Sequence, residues 1–304
     1  MNNKPQLAYF HHTTDNVGDD IQALAAKQYL PPDAVTFDRD RATVPNSDSS
    51  YFLLANGWLM HPRNGGYQFP FPSQITPFFV SIHLCLRLRR HFTKEMVYYL
   101  QQHAPVGCRD QATLRFLKRV GIPSFFSGCL TMTLKRPSIA KLNCGDEAIY
   151  NVDLPIEESE SSIAKRTHQI PRRQRRRPPH QRERRAAELL SEYASARGVR
   201  TSRLHCAIPC VAMGTPVTVE PGHKGRERFN ALAAFFSEVA NNRQWVIPSP
   251  TPEFNRHANA LRNLVREAVC LRSNPMKSDR RFPEDFATHE SLAVDQIPIS
   301  VPHA

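Results

Sequence analysis

The sequence contains no run of eighteen apolar residues, so no segment of it predicts a transmembrane helix. Its start, Met1-Asn2-Asn3-Lys4-Pro5, lacks the apolar stretch and small-residue cleavage site of a secretory signal. Seven cysteines, at 85, 108, 129, 144, 206, 210 and 270, include no Cys-x-x-Cys pair. An odd count without that pair argues against a disulfide framework or a zinc ribbon, and the expected setting is a reducing cytosol. Cys206 and Cys210 stand four apart on one helix face and read as small buried thiols. Neither a Walker A run nor Gly-x-Gly-x-x-Gly occurs, which removes the usual ATP and dinucleotide signatures. The His and Asp residues lack the close spacing of ligands on a predicted helix, so no metal site is expected.

What the chain has in excess is positive charge. Its 304 residues carry 40 Lys and Arg against 28 Asp and Glu, a formal net charge of +12. Hydrophobic content of 40% and charged content of 22% suit a folded chain, and the length allows two domains. The charge favours anionic partners: a phosphorylated small molecule, nucleic acid or an acidic membrane surface. The densest stretch is PRRQRRRPPHQRERR, residues 171–185. No aromatic residue is interleaved there to stack on bases, and no zinc-finger, RNP or helix-turn-helix pattern accompanies it. It therefore reads as a solvated basic loop feeding a helix at Arg184, with a nucleic-acid arm as the competing reading.

Elsewhere strand-like and helix-like runs alternate. Residues 6–10, 51–55, 78–82, 105–108 and 124–126 predict strands. Helices are predicted over 21–30, capped by Asp19 or Asp20 and stopped by Pro31-Pro32, and over 93–102 and 112–120. A second set begins with a strand at 148–153, followed by a helix over 184–196, strands at 199–201 and 217–219, and a last helix over 255–271. The pattern predicts an α/β fold with a mostly parallel sheet covered on both faces. Expected domains are 1–145, a smaller second unit over 146–254 with the basic loop, and a C-terminal helix and loose tail over 255–304.

Polar residues gather where strands end and helices start, the edge at which open α/β sheets bind ligands. The first half offers Asn16, Gly18, Asp19, Asp20, Asn56, His61, His83, Arg109, Asp110 and Ser127; the second offers Ser202, Arg203 and His205. Arg109 and Arg203 each follow a short strand and open a helix. A helix N-terminus adds free N–H groups and a positive dipole end to such a guanidinium, making a clamp for phosphate or carboxylate. Without nucleotide motifs, the expected ligand is a compact phosphorylated acid.

Four segments, DNVGDDIQALAAKQYLP, NGWLMH, PVGCRDQATLRFLKRVGIPSFFSGCLTMTL and TSRLHCAIPCVAMGTPV, resemble the polysaccharide pyruvyl transferase family, in order, over roughly residues 5–220. The resemblance implies a GT-B-like fold, two Rossmann-type domains facing across a cleft. It implies phosphoenolpyruvate as donor and a glycan or glycan-lipid acceptor that receives pyruvate as a ketal, with phosphate released. No cofactor is implied and no nucleic-acid partner is expected. By the family pattern Arg109, Ser202, Arg203 and Leu204 would bind the donor, and His205 would act near the reacting carbon. Asp19 and Asp20 are candidates for deprotonating the acceptor, and Asn16, Asn56 and His61 for binding it. The expected location is the cytoplasm, with peripheral contact at the inner face of the membrane compatible with the charge. The alternatives are a nucleotide-sugar-dependent GT-B glycosyltransferase and a basic nucleic-acid-binding protein.

Overall fold

The computed structural model describes residues 4–272 apart from 41–47, 61–69, 87–88, 90–91, 138–145, 155–163, 168, 171–173, 221–228, 230–234, 236–238 and 241–243. Among the described residues there are six α-helices and two six-stranded sheets. The first sheet comprises β1 (Gln6–His11), β2 (Val35–Asp38), β3 (Tyr51–Leu59), β4 (Ile75–Leu84), β5 (Val106–Cys108) and β6 (Ser124–Phe126). Its order is β2-β1-β3-β4-β5-β6, and every neighbouring pair is parallel. A parallel sheet is covered on both faces, so its central strands read as unbroken apolar runs rather than alternating ones. Tyr51 to Leu54 is such a run, and all four side chains are buried. Helices α1 (Val17–Lys27), α2 (Lys94–Gln102) and α3 (Gln111–Arg119) supply crossovers.

The second sheet has the order β11-β12-β10-β9-β7-β8, from β7 (Asp146–Val152), β8 (Ala164–Thr167), β9 (Ala196–Thr201), β10 (Val217–Val219), β11 (Val239–Ala240) and β12 (Gln244–Ile247). Its strands β8, β7, β9 and β10 run parallel, while β12 and β11 add an antiparallel edge. Helices α4 (Pro179–Ser195) and α5 (Leu204–Met213) connect into it. Helix α6 (Pro252–Arg272) turns Leu261 and Val265 inward and reaches back to the first sheet, where His257 Nε2 lies 2.8 Å from the Ser127 carbonyl.

Two local expectations change. Helix α1 starts at Val17, not near Ile21, because Asn16 is the cap: its side chain accepts from the Gly18 N–H. Asn caps as well as Asp, and Asp19 and Asp20 in the first turn then meet the positive end of the helix dipole. The basic stretch is not wholly a solvated loop. Proline is pre-organised for a first helical position, and α4 begins at Pro179. Arg182 in its first turn is buried, whereas Arg175, Arg176, Arg177 and Arg184 are exposed. The expected buried thiols at Cys206 and Cys210 are found, both in α5.

Candidate active site

Polar side chains collect at the carboxyl edge of the first sheet. The strand order reverses between β1 and β3, the kind of point at which open α/β sheets take ligands. Beside it the β3–β4 register shifts between Ala55 and Gly57, with Gly57 at φ 120° and Ser81 at φ 57°. The bulge places the Asn56 amide 3.0 Å from the Gln22 carbonyl, where it donates.

Gln22 stands on the face of α1 that also carries Gly18 and Asp19, one helical turn away. Its Oε1 accepts from Arg109 Nη1 at 2.6 Å. The same Nη1 lies 3.1 Å from Nε2 of His205, a residue of the second sheet's helix α5. The Gln22 amide nitrogen lies 3.2 Å from Asp19 Oδ1, 3.3 Å from the Gly18 carbonyl and 3.3 Å from His205 Nδ1. Gly18 has no side chain to keep α5 away: a Cβ there would sit 3.1 Å from His205 Cβ. Gln169 closes the contact, donating to the His205 carbonyl at 3.0 Å. Arg109 is buried and His205 is partly exposed.

The two adjacent carboxylates differ sharply. Asp19 accepts from Thr14 Oγ1 at 2.7 Å, and Arg39 Nη1 is 3.7 Å away. Burial alone would raise its pKa, but Arg39, His12 and Thr14 more than offset that and hold the carboxyl well below the usual range. Asp20 accepts from Arg182 and from Gln174 Nε2 at 3.2 Å. Here burial wins over the Arg182 charge, with help from neighbouring Asp19, and its pKa is pushed up to about 6. The residue after Arg182 continues the clamp: Glu183 accepts from Tyr9 at 2.7 Å and Lys27 at 2.7 Å. Residues 182 and 183 thus hold α1 near both ends.

The second arginine lies differently. Arg203 is the N-cap residue of α5, its guanidinium is half-exposed, and its Nε donates to Asp153 Oδ2 at 2.7 Å. Asp153 takes a left-handed conformation, φ 55°, just past β7. Leu204 is buried and Ser202 half-buried beside it. His205 breaks helical geometry inside α5, at φ −84° and ψ 15°. The structure thus brings Arg109 and His205 together and sets Asp19 one amide away from them. Asn16 caps α1, Asn56 supports it, and Asp20 faces α4; His61 lies outside the described residues. His83 lies 2.6 Å from Asp110, which caps α3, and Ser127 donates to the Cys108 carbonyl. Sequence reasoning did not single out Gln22, Arg39, Gln169, Gln174 or Arg182. Gln22 had a usable signal, its i, i+3 and i, i+4 spacing from Asp19 and Gly18.

Among the described residues no group of three or more His, Cys, Asp or Glu side chains could hold a metal ion. Nor is any described helix long and apolar enough to cross a membrane.

Fold and edge together define a class: an α/β protein whose polar site lies where helices of two sheets meet, with an arginine from one and a histidine from the other. The chain belongs to the polysaccharide pyruvyl transferase family, whose model matches residues 16–220. Membership indicates pyruvyl transfer to a polysaccharide. Comparison with curated proteins gives no match. A solved structure of an uncharacterized protein from Klebsiella pneumoniae subsp. pneumoniae NTUH-K2044 is similar at 14% identity, covering 75% of this chain and 88% of that one, with a TM-score of 0.46.

Proposed function

We propose that the protein transfers pyruvate from phosphoenolpyruvate onto two hydroxyls of a sugar as a cyclic ketal, and that the Arg109–His205 pair is the centre of the reaction. The single observation that carries this reading is the 3.1 Å approach of Arg109 Nη1 to His205 Nε2, made between side chains 96 positions apart. A plain core needs neither group there. A guanidinium that can engage an anion, next to a ring that exchanges protons near neutral pH, is the pairing an enol phosphate requires.

In the proposed chemistry C3 of the enol gains a proton and becomes a methyl group, leaving cationic character at C2. Two sugar hydroxyls attack C2 while the bond from C2 to the phosphate oxygen breaks. Of the two hydroxyl protons released, one balances that taken up at C3 and the other leaves with phosphate. His205 trades these protons. Arg109, and Arg203 once drawn from Asp153, stabilise the charge on the departing phosphate or the carboxylate, beside Ser202 and Leu204. Asp19, one amide from His205, and Asp20, pushed up to about 6 but turned to Arg182 and Gln174, are the carboxylates proposed to serve the acceptor. Asn16, Asn56 and His61 are proposed for the acceptor side. In this reading the two sheets form a GT-B-like pair, 1–145 and 146–254, with 255–304 appended. The net charge of +12 suits an acidic glycan-lipid acceptor reached at the inner face of the membrane.

The test is His205→Ala with purified protein, phosphoenolpyruvate and a panel of glycan acceptors, following phosphate release. The expected loss is on the order of 10²–10⁴-fold. Wild-type turnover in that variant removes His205 from the mechanism.

A further inference from the structure

We propose that Gln22 is a positioning residue that, together with Arg109, decides which ring nitrogen of His205 carries the proton, and that an anion on Arg109 reverses the choice. The assignment rests on the reading above that Arg109 takes the donor's anionic group.

The orientation of Gln22 is fixed by chemistry. A guanidinium only donates, so the atom 2.6 Å from Arg109 Nη1 must be the amide oxygen. The amide nitrogen therefore carries two hydrogens for three acceptors: Asp19 Oδ1 at 3.2 Å, the Gly18 carbonyl at 3.3 Å and His205 Nδ1 at 3.3 Å. Asp19 is itself held by Thr14 and Arg39, so the amide is backed by a fixed anion. An Arg109 N–H thus approaches Nε2 of the imidazole, while Nδ1 competes with the Gly18 carbonyl for the second Gln22 N–H. A neutral imidazole has an accepting lone pair on only one of its nitrogens. The charged donor at 3.1 Å prevails over the neutral one at 3.3 Å, because charge-assisted hydrogen bonds are about twice as strong. At rest Nε2 accepts from Arg109, the ring proton sits on Nδ1, and the two Gln22 N–H groups serve Asp19 and the Gly18 carbonyl.

An anion that draws away the Arg109 N–H releases Nε2. Nδ1 then accepts from the Gln22 amide, and the proton moves to Nε2 by exchange with solvent, which the partly exposed ring allows. The nitrogen beside the bound anion becomes the donor only when the anion is there. Without it the ring is not set to deliver a proton.

The experiment is ring-nitrogen NMR of the full chain labelled with 15N-histidine, with inorganic phosphate and separately with phosphoenolpyruvate; His205→Gln identifies the signal. The expected result is an Nδ1–H ring alone and an Nε2–H ring at saturating anion. Gln22→Met keeps helix propensity and bulk while removing both polar atoms; glutamate at this position would place a second carboxylate 3.2 Å from Asp19. In Gln22→Met the anion should no longer move the proton, and kcat should fall on the order of 10²-fold with KM for phosphoenolpyruvate held within about threefold. A wild-type ring whose proton stays put at saturating anion overturns the proposal, as does a Met variant whose ring responds like wild type. If the Met variant does not fold, the wild-type spectra decide alone. If phosphate moves the proton but the wild type transfers no pyruvyl group, the proposed function fails and the role of Gln22 stands.

Discussion

Arg109 and Arg203 occupy equivalent places in the chain, each between a parallel strand and the helix that follows, yet the structure treats them in opposite ways. Arg109 is buried at the edge of an all-parallel sheet, fixed by Gln22 and pointed at His205. Arg203 is half-exposed at the edge of a mixed sheet, and its one described anion is Asp153. The difference lies in what surrounds each turn. Around Arg109 there are the polar face of α1, through Gln22, and His205 of α5, which leave it only 4% exposed. Around Arg203 there is one aspartate in a left-handed turn. Local sequence made the two arginines look alike; their neighbours made one a fixed part and the other an adjustable one.

That contrast can be broken experimentally. The largest effect is expected from Arg109→Lys, which removes the planar fork from a buried position. Phosphate release should fall by about 10²–10³-fold, comparable to losing one fixed donor from a charge-stabilising site. If lysine restores full rate, the fixed geometry of this side is unnecessary.

Next comes Asp20→Asn, measured as stability against pH. The folded carboxyl titrates at about 6, above its ordinary value of 3.8. Between those values the native state keeps a proton that the unfolded state has released. Its contribution is therefore full below pH 3.8 and is lost as pH rises through 6. Asparagine cannot titrate, so wild type should lose up to about 3 kcal/mol relative to the variant on going from pH 4 to pH 7. Urea midpoints at the two pH values provide the check, and a constant difference would remove Asp20 from the account. The smallest effect is expected from Arg203→Lys. A half-exposed side chain that keeps its charge should cost only about tenfold in phosphate release. A loss as large as that of Arg109→Lys would erase the contrast.

Much of the first sheet was legible because parallel strands covered on both faces leave long apolar runs, as at Tyr51 to Leu54. Arg109 and His205 were legible as charged or titratable groups at strand-to-helix turns. The partner that joins them was not. Gln22 is a neutral residue inside a helix, and only the approach of α5 over Gly18 gives it a role. Arg182 was hidden differently. In a stretch so rich in arginine, nothing local marks the one that leaves solvent to meet Asp20 162 positions earlier. The short strands β8, β11 and β12 also escaped, since two to four residues carry too little periodicity to stand out.

The stretch shared with the family ends at residue 220, but the chain does not finish its work there. Helix α6 travels back to the end of β6, where the SGCLT segment begins, setting an imidazole on the Ser127 carbonyl where Gly128, at φ 67°, leaves space for it. A Cβ on Gly128 would come 3.0 Å from that ring and 2.9 Å from Met132 Sδ. The last described helix is thus a keystone seated in a notch cut by a single missing methyl group. A piece with the family's boundaries would carry every chemical group proposed above and still leave that notch open.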